Sequence, residues 1–170
     1  MKDLTEIIEG CKRNKRGAQD ALYAKYSSML FGVCLRYTKS RYDAEDILQE
    51  GFVKIYKNIA MYSQDRSFEG WIRRIMINTA ITHYRKNLRH AYHDNIEDMP
   101  HVKTQEAPFG VCEFTREELM NTINALPDGY RMVFNLYVVE GYKHKEIADM
   151  LNIDINTSKS QLSRAKKYLQ

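Results

Sequence analysis

Three groups of side chains have the types and spacing for work on a macromolecule. At 100° per residue, Lys159, Ser160, Ser163, Arg164, Lys166 and Lys167 fall on one side of a C-terminal helical period, while Ser158, Leu162, Ala165 and Leu169 fall on the other. In a DNA major groove, Arg and Lys read guanine edges and Ser reads either partner. An ordinary solvated helix face would use the same residues. What precedes the helix tips the balance: Glu146-Ile147-Ala148, Asn152 and Ile153 stand at helix-turn-helix spacing, which presents a second helix to duplex DNA.

Further upstream, Arg74, Asn78 and Arg85 lie within about 40° of one another on a helical wheel, with Trp71 at the edge of the stripe. Charge that tracks phosphates beside a ring that stacks on bases is equipment for single-stranded DNA. Core packing is the competing use of Trp71, and a plain surface amide that of Asn78. The third group is acidic. Asp46, Glu50, Val53 and Lys57 line one stripe, with Gln49 beside it, and a valine on a polar stripe points to a partner surface. A helical hydrolase using Asp43, Glu45, Asp46 and Glu50 would need a second matched acidic pair facing inward. Only Asp65 and Glu69 are at hand, so no catalytic residue, metal or cofactor is expected.

The elements that carry these groups are helical. Three prolines and eight glycines in 170 residues, with many Leu, Ile, Met, Lys, Glu and Gln, favour helix over sheet. Leu22, Tyr26, Met29, Leu30, Val33 and Tyr37 predict a helix over 20–38. Asp43 is placed to cap the next, which carries Ala44, Ile47, Leu48, Phe52, Ile55 and Ile59 on one side. Residues 61–67 read as a loop. A helix follows from Phe68 to about Asn87, with Ile72, Ile75, Met76 and Thr79 inward. Residues 88–113 hold Pro100, Pro108, Gly110 and three histidines and read as a linker. Thr115 and Glu118 form a capping box, with Phe114 and Leu119 as the flanking staple. Leu126-Pro127-Asp128 separates that helix from one to about Glu140, which Gly141 ends. Lys143 to Leu151 is a short helix, Asn152 takes the left-handed turn position, and the last helix starts near Asn156 or Thr157.

Charge follows the same division. Residues 1–92 hold 17 Lys and Arg against 10 Asp and Glu, residues 93–114 hold 1 against 5, and residues 115–170 hold 8 against 7. Two modules on an acidic tether, each with a basic surface, fit a polyanion partner. The expected architecture is all-α: two small helical domains over 1–92 and 114–170, joined by a flexible linker over 93–113, the second a four-helix domain with a helix-turn-helix. No apolar run approaches the ~18 residues of a membrane span and no signal-peptide pattern opens the sequence, so a cytoplasmic protein without membrane insertion is expected. Cys11, Cys34 and Cys112 have no CxxC spacing and are expected to be reduced thiols.

LPDGYRMVFNLYVVEGYKHKEIADMLNIDINTSKSQLSRAKKYL resembles the C-terminal domain of extracytoplasmic-function (ECF) sigma factors of the sigma-70 family. RYDAEDILQEGFVKIYKNI followed by FEGWIRRIMINTAITHYRK resembles their N-terminal promoter-melting domain. The resemblance covers about 5–92 and 112–170. It implies a dissociable specificity subunit of bacterial RNA polymerase and no enzymatic step of its own. It implies that Asp46, Gln49, Glu50 and Val53 grip the polymerase's largest subunit. It also implies that the loop with Tyr62 and Ser63, together with Trp71, Arg74, Asn78 and Arg85, takes the unpaired −10 strand, Asn78 reading a flipped base. Thr157, Lys159, Ser160, Ser163, Arg164 and Lys167 would then hold the −35 duplex. The partners implied are core RNA polymerase, promoter DNA and an anti-sigma factor, with no small-molecule substrate. A stand-alone helix-turn-helix regulator would explain 115–170 and leave the N-terminal residues without work.

The chain departs from the family where the last helix opens. Asn156-Thr157-Ser158 replaces the common Gly-Thr-Val, which sets Ser158 on the packing face. It could bond back to a helix carbonyl, and the sequence leaves open whether the domain is weaker for it. Ser163 stands where relatives carry larger groups.

Overall fold

The inward stripes form the helices their spacing predicts, and the side chains on them form two cores. The computed structural model describes the backbone of residues 2–94 and 115–170, and side chains over 2–89 and 115–170. Its order is α1 (Leu4–Lys12), α2 (Arg16–Tyr37), α3 (Arg41–Asn58), a 3₁₀ turn (Ile59–Met61), α4 (Phe68–Asp94), α5 (Arg116–Asn124), α6 (Asp128–Phe134), a π-helical turn (Asn135–Val139), α7 (His144–Leu151) and α8 (Ile155–Leu169). Among the described residues there is no strand and no helix long and apolar enough to cross a membrane. The chain divides into two compact units, Met1–Thr82 and His83–Gln170. The linker expected over 93–113 lies outside the described residues apart from positions 93 and 94, which continue α4.

In the first unit α2 packs on α1 and α3. Leu22, Leu30, Ile47, Ile55, Ile72 and Met76 are fully buried, each contributing about 1.5–3 kcal/mol of apolar burial. Two glycines set how closely helices approach. A Cβ on Gly10 would lie 2.5 Å from the Ala18 Cβ, joining α1 to α2, and one on Gly51 would lie 2.3 Å from the Met76 Sδ, joining α3 to α4. The Tyr23 and Phe52 rings tilt together at 4.8 Å, and the Tyr56 hydroxyl donates to the Gln19 carbonyl at 2.9 Å. Cys11 and Cys34 are free and buried; burial pushes the Cys34 thiol up to about 12, so neither is a ready nucleophile.

In the second unit Ile123, Leu126, Met132, Leu136, Ile147, Leu151, Leu162 and Ala165 are buried together. The Thr115–Glu118 capping box is present, with the Thr115 amide donating to the Glu118 carboxylate at 2.9 Å and the Glu118 amide to the Thr115 hydroxyl at 3.3 Å. The Thr115 amide and the Thr115 hydroxyl, both donating to it, hold the Glu118 carboxyl below the usual carboxylate range. Phe114, the other half of the expected staple, lies outside the described residues. Arg131 is buried at the α5–α6 junction, where it donates to the carbonyls of Asn124 and Leu126 and to Asp128. Gly141 and Asn152 take the left-handed backbone, at φ 77° and 54°.

Several boundaries differ from expectation. α2 begins at Arg16 rather than 20 and α4 runs to Asp94 rather than Asn87. The cap of α3 is Ser40, whose hydroxyl accepts the Asp43 amide; Asp43 sits inside the first turn, where its charge suits the helix dipole. The cap of α8 is Asp154, which accepts the Asn156 amide at 2.8 Å, so the helix starts at Ile155. The helix predicted to Glu140 is α-helical only to Phe134 before it widens into the π turn. On α4, Ile77 is buried and Ile75 only half-buried.

Candidate nucleic-acid interface

α8 separates its two sides as its period requires. Ser158, Leu162 and Ala165 are buried. Lys159, Ser160, Ser163, Arg164, Lys166 and Lys167 are exposed, and Thr157 is half-buried at the margin. The turn from α7 spans only 152–154 and is closed by the Ile153 amide donating to the Ala148 carbonyl at 3.0 Å. A short turn of fixed geometry holds the second helix outward as a rigid probe. Ser158 does not bond back to a helix carbonyl; its hydroxyl is hydrogen-bonded to the His144 Nδ1 at 2.8 Å.

The N-terminal group is built on an aromatic cluster. Tyr62 is 8% exposed. Its ring meets Phe68 at 5.1 Å and Trp71 at 5.4 Å, and Phe68 meets Trp71 at 5.9 Å and Tyr26 at 5.7 Å. Tyr62 therefore offers position to the loop rather than an open stacking face. Trp71 shares the cluster and stays half-exposed, so part of its ring is packed and part faces solvent. The loop is tied internally: Tyr62 donates to the Arg66 carbonyl at 2.5 Å and Ser63 to the Asp65 carboxylate at 2.9 Å. The Ser67 hydroxyl then accepts the Gly70 amide at the start of α4.

Arg74 and Asn78 are exposed one turn apart on α4, and the Asn78 backbone carbonyl accepts the Thr82 hydroxyl at 2.9 Å. Arg85 is placed differently. It belongs to the second compact unit, half-buried, and its guanidinium donates to the Met150 carbonyl. The helical wheel groups it with Arg74 and Asn78, but a backbone carbonyl takes one of its donors.

On α3, Asp46, Gln49 and Glu50 are exposed and Val53 is 50% exposed. Ala44, Ile47, Leu48, Gly51, Phe52 and Ile55 are buried on the opposite side. This face of α3 therefore shows solvent a valine set among acidic and amide side chains. Among the described residues no group of three or more His, Cys, Asp or Glu could hold a metal ion.

The family models agree with this layout. Sigma-70 region 2 matches residues 22–90, and Sigma-70 region 4 matches 116–169. The ECF RNA polymerase sigma factor SigW of Bacillus subtilis is 32% identical, over 96% of this chain and 95% of its own. The chain belongs to the ECF sigma factors of the sigma-70 family. Another relative of this sigma factor is the RNA polymerase sigma-H factor of Pseudomonas aeruginosa, 27% identical over 96% of this chain and 90% of its own. The same fold occurs in the sigma factor RpoE of Bartonella quintana, solved in complex with the anti-sigma factor NepR. There the TM-score is 0.53 at 20% identity, over 89% of this chain and 93% of that one.

Proposed function

We propose that this sigma factor divides its work among three surfaces, on domains spanning 1–92 and 114–170 with a tether over 93–113. Asp46, Gln49, Glu50 and Val53 dock on core RNA polymerase. Thr157, Lys159, Ser160, Ser163, Arg164 and Lys167 hold the −35 element as closed duplex. The loop 62–67, with Trp71, Arg74 and Asn78, takes the −10 element as an unpaired strand. Arg85 is proposed for the same group, with one of its donors held by the Met150 carbonyl.

The observation that carries the reading is the exposed pair Arg74 and Asn78 on a helix whose preceding loop is pinned by Tyr62. Charge for a phosphate and an amide with both donor and acceptor meet a base lifted from its pair. Capturing that base offsets an unpairing cost of a few kcal/mol, so melting is a population shift toward open DNA. The chain itself supplies no covalent step. Phosphodiester synthesis belongs to the polymerase, in the cytoplasm, and this sigma factor is not an enzyme. A stand-alone regulator would leave Trp71, Asn78 and the acidic α3 stripe without work.

The solved relative carries an anti-sigma factor in its structure, and a partner of that kind is proposed here as the inhibitor of this chain. Run-off transcription with core polymerase tests the main reading. Asn78→Ala should retain core binding and lose promoter opening. Failure of the wild-type chain to join core enzyme, or tight duplex binding by the chain alone, would overturn it.

A further inference from the structure

The packing face of α8 carries one polar side chain with no exposure at all, Ser158 at 0%. Its hydroxyl lies 2.8 Å from the Nδ1 of His144, the first residue of α7. The His144 ring in turn stacks on Tyr137 at 4.5 Å with 19° between planes, and Tyr137 belongs to the π-helical turn. The π turn, the start of α7 and the first turn of α8 are therefore linked through three side chains in series. We infer that His144 and Ser158 are positioning residues, whose hydrogen bond fixes the rotation of α8 about its own axis and so the register in which it meets duplex DNA. This rests on the reading of α8 as the −35 surface.

The physical need for such a device follows from the rest of the contact. Ile147 and Leu151 of α7 and Leu162 and Ala165 of α8, two helices that pack together, are buried and apolar, and apolar burial has no direction. The Ile153–Ala148 bond in the turn fixes where α8 starts, and beyond it the apolar contacts set the roll of the helix about its axis only loosely. With side chains reaching about 5–6 Å from the axis, a 20° roll carries a tip by roughly 2 Å. Base-edge hydrogen bonds tolerate only a few tenths of an ångström before they weaken. The Ser158 hydroxyl sits one residue from Lys159 and two from Ser160, so whatever fixes its direction fixes theirs.

The chemistry of the pair is consistent. Burial, then the charges of Lys159 and Lys166, push the His144 pKa down, which favours the neutral ring. A neutral ring protonated at Nε2 accepts the Ser158 proton at Nδ1, and the hydroxyl is then not spent on its own helix backbone. The Tyr137 ring holds the imidazole plane so that Nδ1 stays aimed at α8.

The test uses the full chain with core polymerase. Templates randomised only at the −35 element compete in one reaction, and the ratio of transcripts from favoured over disfavoured sequences is read. Competition in one tube cancels the amount of folded protein, so a variant that is merely less stable leaves the ratio unchanged. Ser158→Ala and His144→Ala should each flatten the ratio by about tenfold, with core binding and opening at the −10 element retained. His144→Asn, whose amide can replace Nδ1, should restore most of it. An unchanged ratio in Ser158→Ala, or no rescue by Asn, would overturn the inference while leaving the −35 reading intact. A wild-type chain that selects no −35 sequence would overturn that reading, and the inference with it.

Discussion

The Tyr62 hydroxyl donates to the Arg66 carbonyl at 2.5 Å while the Tyr62 ring is buried between Phe68 and Trp71. One side chain thus anchors the loop by its ring and closes it by its oxygen. Tyr62→Phe separates the two roles. The ring stays packed, so stability should fall by only about 1 kcal/mol, the net worth of one hydrogen bond. The loop, freed at Arg66, should capture the unpaired strand less well. Thermal melting together with fluorescence of a base analogue in the −10 strand reads both. Equal losses of stability and opening would tie the hydroxyl to folding alone.

Glycine positions give a second test, with opposite signs. Gly32 lies within α2 and a Cβ there meets nothing within 4 Å, whereas one on Gly10 meets the Ala18 Cβ at 2.5 Å. Gly32→Ala should stabilise the first unit by about 0.5–1 kcal/mol through helix propensity. Gly10→Ala should gain the same propensity and lose more, about 1–3 kcal/mol, because α1 and α2 must move apart. Chemical denaturation of the two variants measures the sign directly. Destabilisation by both would show that α2 tolerates no added methyl.

How much of this was legible depended on which signal each feature leaves. The outer face of α8 follows from period alone, because burial of Leu162 and Ala165 leaves Lys159, Ser163 and Arg164 only one direction to point. α1 leaves a readable signal too: Leu4, Ile7, Ile8 and Cys11 are spaced for one helix face, and the last three are buried. Other features leave none. The π turn adds one residue to the helical ladder, with the Glu140 amide donating to the Asn135 carbonyl, and a 3.6-residue pattern does not register a single insertion. The cap of α3 moved from Asp43 to Ser40 because both residue types cap equally well. The His144–Ser158 bond joins positions 14 apart, and Arg85 meets Met150 across 65. Such long-range pairing is invisible to local spacing, which is why Ser158 looked like a defect and Arg85 like an open cation.

Arg131 is 3% exposed and holds the end of α5 to the start of α6 through the carbonyls of Asn124 and Leu126, with Asp128 at 2.5 Å. Its partner carboxylate is 60% exposed, so the two halves of the pair are unequal. Arg131→Met strips the carbonyls of their donor and should cost roughly 2–4 kcal/mol. Asp128→Asn keeps both carbonyl contacts and should cost less, about 1 kcal/mol. Hydrogen exchange of amides in the second unit reads the difference. An Asp128→Asn loss as large as that of Arg131→Met would place the stabilisation in the ion pair instead of the carbonyls.

His144 should make the second unit sensitive to mild acid. Its folded pKa lies below the ordinary 6.5, through burial first and then Lys159 and Lys166. Below about pH 6.5 the unfolded chain binds a proton that the folded chain resists, so folding stability falls as pH falls toward the lowered folded value. Above 6.5 the contribution is fully present. The groups facing the ring explain the direction: Ser158 and Tyr137 bring no negative charge to it, and both lysines repel the proton. Melting temperatures of the full chain and of His144→Asn, measured from about pH 5 to pH 7.5, should diverge in the wild type's favour as pH rises through that window. Carboxylates and the other histidines are common to both proteins and cancel in the difference. Parallel curves would mean that the imidazole is as comfortable charged in the fold as outside it, and that repulsion by Lys159 and Lys166 is screened away.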